Sequence, residues 1–224
     1  MRPLDDRLLL AARMYEPCDL GADIGTDHGL LPCYLLETGI CQRMLLCDIS
    51  PSALAHARAQ VAARQLEKAA VPVCADGLFG VSEPCGCISI TGMGGDTMAR
   101  ILTEGRDRLH GAVLVLSAHT EQEQVRRALK ALRYHLVREE PCVSAGRMYL
   151  VWRAEPGDGD WTEDTLRLGT PLLDAHPLAG AYYTWRRSHA EVRLDALCAA
   201  GKQESAEAAQ LRHDLEWFDR RLDR

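Results

Sequence analysis

The chain reads as an α/β fold, a parallel sheet covered by helices and followed by a C-terminal antiparallel helical hairpin. Three observations predict this. Short apolar runs alternate with helix-spaced segments at least five times between residues 18 and 131. Each run is near-continuous rather than alternating, as strands buried on both faces require. From about residue 177 the pattern changes to 4-3-4-3 apolar spacing in two successive stretches, which suits a helical hairpin. The acidic, glycine-containing segment "AEPGDGDW" at 154–161 reads as the linker, so the expected domains are 1–158 and 159–224.

Each element has a local reason. Residues 4–15 place apolar side chains at 4, 8, 11, 12 and 15, a helical spacing. "CDLGADIG" is a buried strand running into a loop, and Pro32 suits the first turn of the helix that follows, with Gly39 as its stop. "RMLLCDIS" is a second strand with Asp48 near its C-terminal end. Ser50 is an N-cap candidate and Pro51 fits the first helical position of an alanine-rich helix. "AVPVCADG" is a third strand ending at Asp76-Gly77, and "CGCISITGMGG" a fourth that runs into a glycine-rich turn before a helix. "AVLVLSAH" is the fifth, followed by the helix "TEQEQVRRALKALRY". "HLVREEPCVSAGRMYLVWRAE" reads as two final strands joined at "SAGR". In the hairpin one stripe takes Leu178, Tyr182, Trp185, His189, Val192 and Ala196. The other takes Leu211, Leu215, Phe218 and Leu222, with "AAGKQE" as the turn between them.

Composition narrows the class. Hydrophobic residues make up 47% and charged residues 26%, which is incompatible with wholesale disorder. No apolar run approaches the roughly 20 residues that span a bilayer, and the acid-bearing start is not patterned as a secretory signal. The expected setting is therefore cytoplasmic, with no membrane partner. The nine cysteines are odd in number and several sit inside apolar runs, so they read as reduced thiols used as small hydrophobes. "CGC" at 85–87 is too tight for a Cys-x2-Cys zinc knuckle and has no matching second pair nearby, so no metal is expected. A net charge of −6 argues against a generally basic nucleic-acid coat, though not against a local basic face.

Ligands of such sheets lie beyond the carboxyl ends of the strands. The acids and glycines of this chain gather there: Asp23 and Asp27, Asp48, Asp76, and Gly92 to Gly95. A dinucleotide site wants Gly-x-Gly-x-x-Gly after the first strand, so that backbone can approach a pyrophosphate. Here that loop is Asp23-Ile24-Gly25-Thr26-Asp27-His28-Gly29, with two carboxylates where phosphate charge would go. S-adenosylmethionine has no phosphate and carries a sulfonium and an ammonium, so acidic groups suit it on Coulombic grounds. Asp48 is placed to accept both ribose hydroxyls, and Asp76 to accept from the adenine amino group.

"DIGTDHGLLP", "CDISPSAL", "ADGL" and "ITGMGGDTMARIL" together resemble the bacterial tRNA (adenine-22-N1)-methyltransferases over nearly the whole chain. The resemblance implies a Rossmann-like class I methyltransferase domain, S-adenosylmethionine as donor and a tRNA adenine as acceptor. It implies a cofactor cradle of Asp23, Gly25, Thr26, Asp48, Ile49, Asp76, Gly77, Gly92 and Met93, with Asp27 and His28 as catalytic residues. Asp27 would stabilise the cationic product or orient the adenine amino group, and His28 would hydrogen-bond the base or accept a proton. The fifth strand departs from the family's Gln-Pro-Asn, ending in Ser117-Ala118-His119. That departure and the acidic charge leave a small molecule or another nucleic acid as the alternative acceptor. The bland readings are a capping Asp27, a structural His28 and a "GMGG" turn that serves helix packing alone. Phosphate contacts would come from Arg186, Arg187 and Arg193 on the hairpin. An alternative basic surface comprises Arg2, Arg7, Arg13, Arg126, Arg127, Lys130 and Arg133. The sequence leaves the oligomeric state open, a monomer being the favoured reading.

Overall fold

A computed structural model describes residues 4–223 of the chain. The first element, α1 (Asp6–Arg13), starts where the Asp5 carboxylate accepts the Leu8 N–H at 2.8 Å. It buries Leu8, Ala11 and Ala12, with Leu4 and Tyr15 flanking, as the spacing predicts. Strand β1 (Cys18–Ile24) leads into α2 (Leu30–Glu37), and β2 (Cys41–Asp48) into α3 (Pro51–Ala63). Ser50 caps α3 through Ala53 N–H, with Pro51 in the first turn. Then come β3 (Ala70–Cys74), a 3-10 turn at Gly77–Gly80, β4 (Cys87–Met93), α4 (Gly95–Glu104), β5 (Val113–Ala118) and α5 (Gln122–Ala131). The antiparallel pair β6 (Tyr134–Ser144) and β7 (Arg147–Pro156) and the short α6 (Glu163–Arg167) complete this unit.

The seven strands form one sheet in the order β3-β2-β1-β4-β5-β7-β6. Strands β1 to β5 are parallel, and β7 joins β5 antiparallel. The chain winds one way from β1 to β3 and then returns to place β4 on the other side of β1. The order therefore reverses between β1 and β4, and crevices for ligands open beyond strand ends at such a reversal. The apolar strand residues fill the core: Ile24, Leu45, Leu46, Ile88, Ile90, Leu114 and Leu116 are all buried. Among the described residues no helix is long and apolar enough to cross a membrane.

The compact units divide between Arg167 and Leu168, nine residues beyond the linker boundary at 158 that sequence predicts. Helix α6 explains the shift. It buries Leu166, whose carbonyl accepts from buried Arg126, and Glu163 and Arg167 pair with Arg127 and Glu123, both on α5. A short polar stretch reads as a linker in sequence, but here it is clamped to the unit that precedes it.

The second unit contains α7 (Ala179–Ala199) and α8 (Ala206–Leu222), joined by a turn at 200–205. Its interior holds Leu173, Tyr182, Tyr183, Ala208, Trp217 and Phe218, with Tyr183 and Trp217 meeting edge to face at 5.7 Å. The seam differs from the predicted stripe beyond Trp185. His189, Val192 and Ala196 are exposed, because the pairing of α7 with α8 turns the adjacent face, through Tyr183 and Arg187, toward the partner helix.

Candidate functional site

The first loop is built by backbone geometry. Gly25 has φ +74°, a left-handed conformation that favours glycine, whereas the Met93 methyl that a Cβ would meet at 2.9 Å ends a flexible side chain that can swing aside. Asp27 follows in the left-handed region at φ 46°, which aspartate adopts more readily than most residues other than glycine. The Asp48 carboxylate fixes this turn. Its Oδ2 accepts the Asp27 N–H at 3.1 Å and its Oδ1 the Ser50 N–H at 2.8 Å, tying the end of β2 to the loop after β1. A carboxylate has more acceptor sites than these two donors occupy, so Asp48 retains capacity for further hydroxyls.

Asp23 is buried in β1 directly across from Ser89 of β4, whose hydroxyl donates to it at 2.5 Å. Burial pushes its carboxyl up to about 6, opposed by the Ser89 hydroxyl. The Thr26 hydroxyl and Arg7 also favour the anion, although Thr26 Oγ1 makes no hydrogen bond of ordinary geometry. Arg7 reaches in from α1. Its guanidinium lies 5.5 Å from the Tyr149 ring centroid, and its Nη1 is buried without a hydrogen-bond partner. An orphaned buried guanidinium nitrogen is unusual, because each such group carries a desolvation penalty.

Two hollows meet at Gly25. One, of 260 Å³, is lined by Arg7, Asp23, Thr26, Asp27, His28, Thr91, Gly92 and His119 among others. The other, of 170 Å³, is lined by Asp48, Ile49, Asp76, Gly77, Met93 and Arg100, with Ile49 two-thirds exposed at its rim. Every sequence-predicted site residue thus lies on one hollow or the other. Two details qualify the expected roles. The Asp76 carboxylate faces Arg100 at 3.4 and 3.5 Å, so it is already partnered. In the glycine turn Gly92, at φ +83°, borders the larger hollow. Gly95 serves packing instead, since a Cβ there would strike the Glu121 and Thr120 carbonyls at 2.2 and 2.5 Å.

Two residues outside the predicted site set also line the larger hollow, His119 and Arg7, the latter expected only as part of a basic surface. His119 sits just past the end of β5, and burial with the neighbouring Arg7 and Arg147 charges lowers its pKa. The strand-end rule alone places it there. Arg7 had no such signal, because only the packing of α1 brings it to the strand ends. Conversely, the predicted cationic surfaces are largely spent on internal pairs. Arg187 bonds Asp219 at 2.6 Å, Arg193 pairs with Glu207, and Arg126 is buried against Glu139 and Trp152. Arg127 pairs with Glu123 and Glu163, and Arg133 with Asp158. Arg2 lies outside the described residues.

Known proteins resemble this chain in sequence and fold. A family model described as a methyltransferase domain matches residues 4–152. The tRNA (adenine(22)-N(1))-methyltransferase of Bacillus subtilis is 31% identical over 172 residues, covering 76% of this chain and 72% of that protein. The solved B. subtilis m1A22 tRNA methyltransferase TrmK superposes with a TM-score of 0.86 at 25% identity, covering 99% of this chain and 100% of that one. TrmK of M. capricolum, solved with the cofactor product S-adenosyl-homocysteine, gives a TM-score of 0.85 at 19% identity, with 98% of each chain covered. By this sequence identity and coverage, the chain belongs to the bacterial tRNA (adenine-22-N1)-methyltransferase family.

Proposed function

We propose that the chain transfers a methyl group from S-adenosylmethionine to N1 of an adenine in tRNA, position 22 by family membership. The observation that carries this reading is the pair of acid-lined hollows joined at Gly25, where the order of the sheet reverses. The donor set fits the cofactor. Asp48 has acceptor capacity for the ribose hydroxyls, and exposed Ile49 offers an apolar face for the adenine ring. Gly77 lets the chain turn beside Asp76, which would accept from the adenine amino group once Arg100 yields. In the larger hollow buried Asp23, with Thr26 beside it, suits the ammonium, and the unpartnered Arg7 Nη1 suits the carboxylate. Gly25, Gly92 and Met93 leave room for the backbone to close around the methionine portion.

When bound, the cofactor supplies an electrophilic methyl group on a sulfonium. The protein's task is then positional, because adenine N1 bears a free lone pair and needs no base to expose it. Methylation at N1 leaves the adenine cationic, and the Asp27 carboxylate at the rim of the larger hollow stabilises that charge. His28, 3.6 Å from Asp27, orients the base, and His119 with its lowered pKa is neutral at pH 7 and can accept from the adenine amino group. An adenine stacked in a folded tRNA arm must leave its stack to reach this hollow.

The test is transfer of radiolabelled methyl to bulk tRNA lacking the modification, followed by nucleoside analysis. Label in 1-methyladenosine supports the reading. Cofactor binding without label in tRNA moves the acceptor to another molecule.

A further inference from the structure

At the rim of the larger hollow Asp27 and His28 meet a third side chain, His56, that lines neither hollow. His56, on the exposed face of α3, stacks on His28 with ring centroids 4.9 Å apart and planes inclined by 19°. Beyond His28 stands Asp27, its Oδ2 3.6 Å from His28 Nε2. One ligand-type atom from each of Asp27, His28 and His56 lies within 4.8 Å of both others, and all three residues are exposed. Their anchoring differs. Asp27 is held at its backbone N–H by Asp48, and His56 by a regular helix. Among the described residues no side chain outside the trio donates to or accepts from these three side chains. Two imidazoles and one carboxylate, open to water on the far side, match the three-ligand set of catalytic-type zinc sites. With metal–nitrogen bonds of roughly 2.0–2.1 Å, the donors must close by rotation about their side-chain bonds, which exposed side chains can do.

We propose that Asp27, His28 and His56 form a binding site for a borderline divalent transition-metal ion of the Zn²⁺ type. Its occupancy blocks methyl transfer by taking Asp27 and His28 out of the acceptor hollow. The blocking half rests on the catalytic reading of Asp27 and His28 given above, whereas the binding half does not. Nitrogen-rich donors favour Zn²⁺ or Ni²⁺ over Mg²⁺, so magnesium, which tRNA itself requires, does not occupy the site. His56 completes the set without entering the cofactor cradle.

The test uses the full chain carrying Cys74→Ser and Cys198→Ser, which removes the two exposed thiols that also attract zinc. Titration calorimetry with Zn²⁺ alone should show one site, weakened at least tenfold in His56→Ala. Without added metal His56→Ala should transfer methyl as fast as its parent. Added Zn²⁺ should inhibit the parent, reversibly by chelator, and His56→Ala should need at least tenfold more. Equal Zn²⁺ affinity in parent and His56→Ala overturns the site. Binding that depends on His56 but leaves methyl transfer untouched overturns the block and the catalytic reading of Asp27 and His28. S-adenosyl-homocysteine affinity, measured alongside, should be the same in both proteins, which separates these failures from loss of the cofactor cradle.

Discussion

Replacing Asp23 with asparagine is expected to stabilise the protein without cofactor while weakening its grip on cofactor. Burial raises the folded-state carboxyl from 3.8 to about 6. The fold therefore prefers the protonated form. This preference contributes stability below the unfolded-state value near 4, and the contribution is lost as pH rises through 6. A shift of this size, at about 1.36 kcal/mol per pH unit, amounts to roughly 3 kcal/mol that the anion costs at pH 7.5. Asparagine is neutral throughout and can still accept from Ser89, but its amide N–H groups need partners, a cost of about 1 kcal/mol. The net gain is about 2 kcal/mol at pH 7.5, or roughly 4–8 °C in Tm for a domain of this size. At pH 4.5 the wild-type carboxyl is protonated and the gain disappears. Denaturant unfolding of both proteins at the two pH values, without cofactor, measures this. If Asp23→Asn is less stable at pH 7.5, or the gap is the same at both values, the burial reasoning fails. Cofactor affinity should move the other way, because the ammonium needs the anion.

Asp48→Ala should weaken S-adenosyl-homocysteine binding by roughly tenfold to a hundredfold, since it removes charge-assisted hydrogen bonds and frees the Asp27 and Ser50 N–H groups. Calorimetry checks it, and unchanged affinity would reject the ribose assignment. Arg7→Gln should weaken the same ligand by about tenfold, the value of one charge-assisted contact, and cost about 1 kcal/mol of stability as the guanidinium's contact with the Tyr149 ring is lost. A large drop in Tm with intact affinity would make Arg7 structural. Asp27→Ala should lower kcat by about a hundredfold, as for loss of one electrostatic stabiliser, with cofactor Kd nearly constant. A pure rise in the KM for tRNA would instead make it a binding residue. Arg126→Leu should cost about 3–5 kcal/mol, as for a buried pair broken on one side, because it removes both guanidinium hydrogen bonds to the buried Glu139 carboxylate.

The parallel strands, the capping at Ser50 and the cluster of acids at strand ends were all legible in sequence because each rests on local pattern. Asp23, Asp48 and Asp76 stand at the ends of consecutive strands, so the fold class alone brings them to one edge. What was not legible depends on tertiary packing. No periodicity says that β7 inserts between β5 and β6, or that α1 lays Arg7 across the strand ends. His56 and His28 are 28 residues apart on different elements, and only the angle between α3 and the first loop stacks their rings. The hairpin arginines looked free because neighbouring acids on the other helix cannot be paired with them from sequence. In the fold Asp219 and Glu207 claim Arg187 and Arg193. The apolar stripe of α7 failed past Trp185 for a related reason: spacing gives a face, but the partner helix chooses which face is used.

The measurement that tests the central claim most directly is methyl transfer to two tRNA transcripts that differ only at nucleotide 22, adenosine in one and guanosine in the other. The account predicts label in the first alone, recovered as 1-methyladenosine, and about tenfold to a hundredfold less of it for Asp48→Ala at limiting cofactor. Equal labelling of both transcripts, or none of either by a protein that binds S-adenosyl-homocysteine, would contradict it.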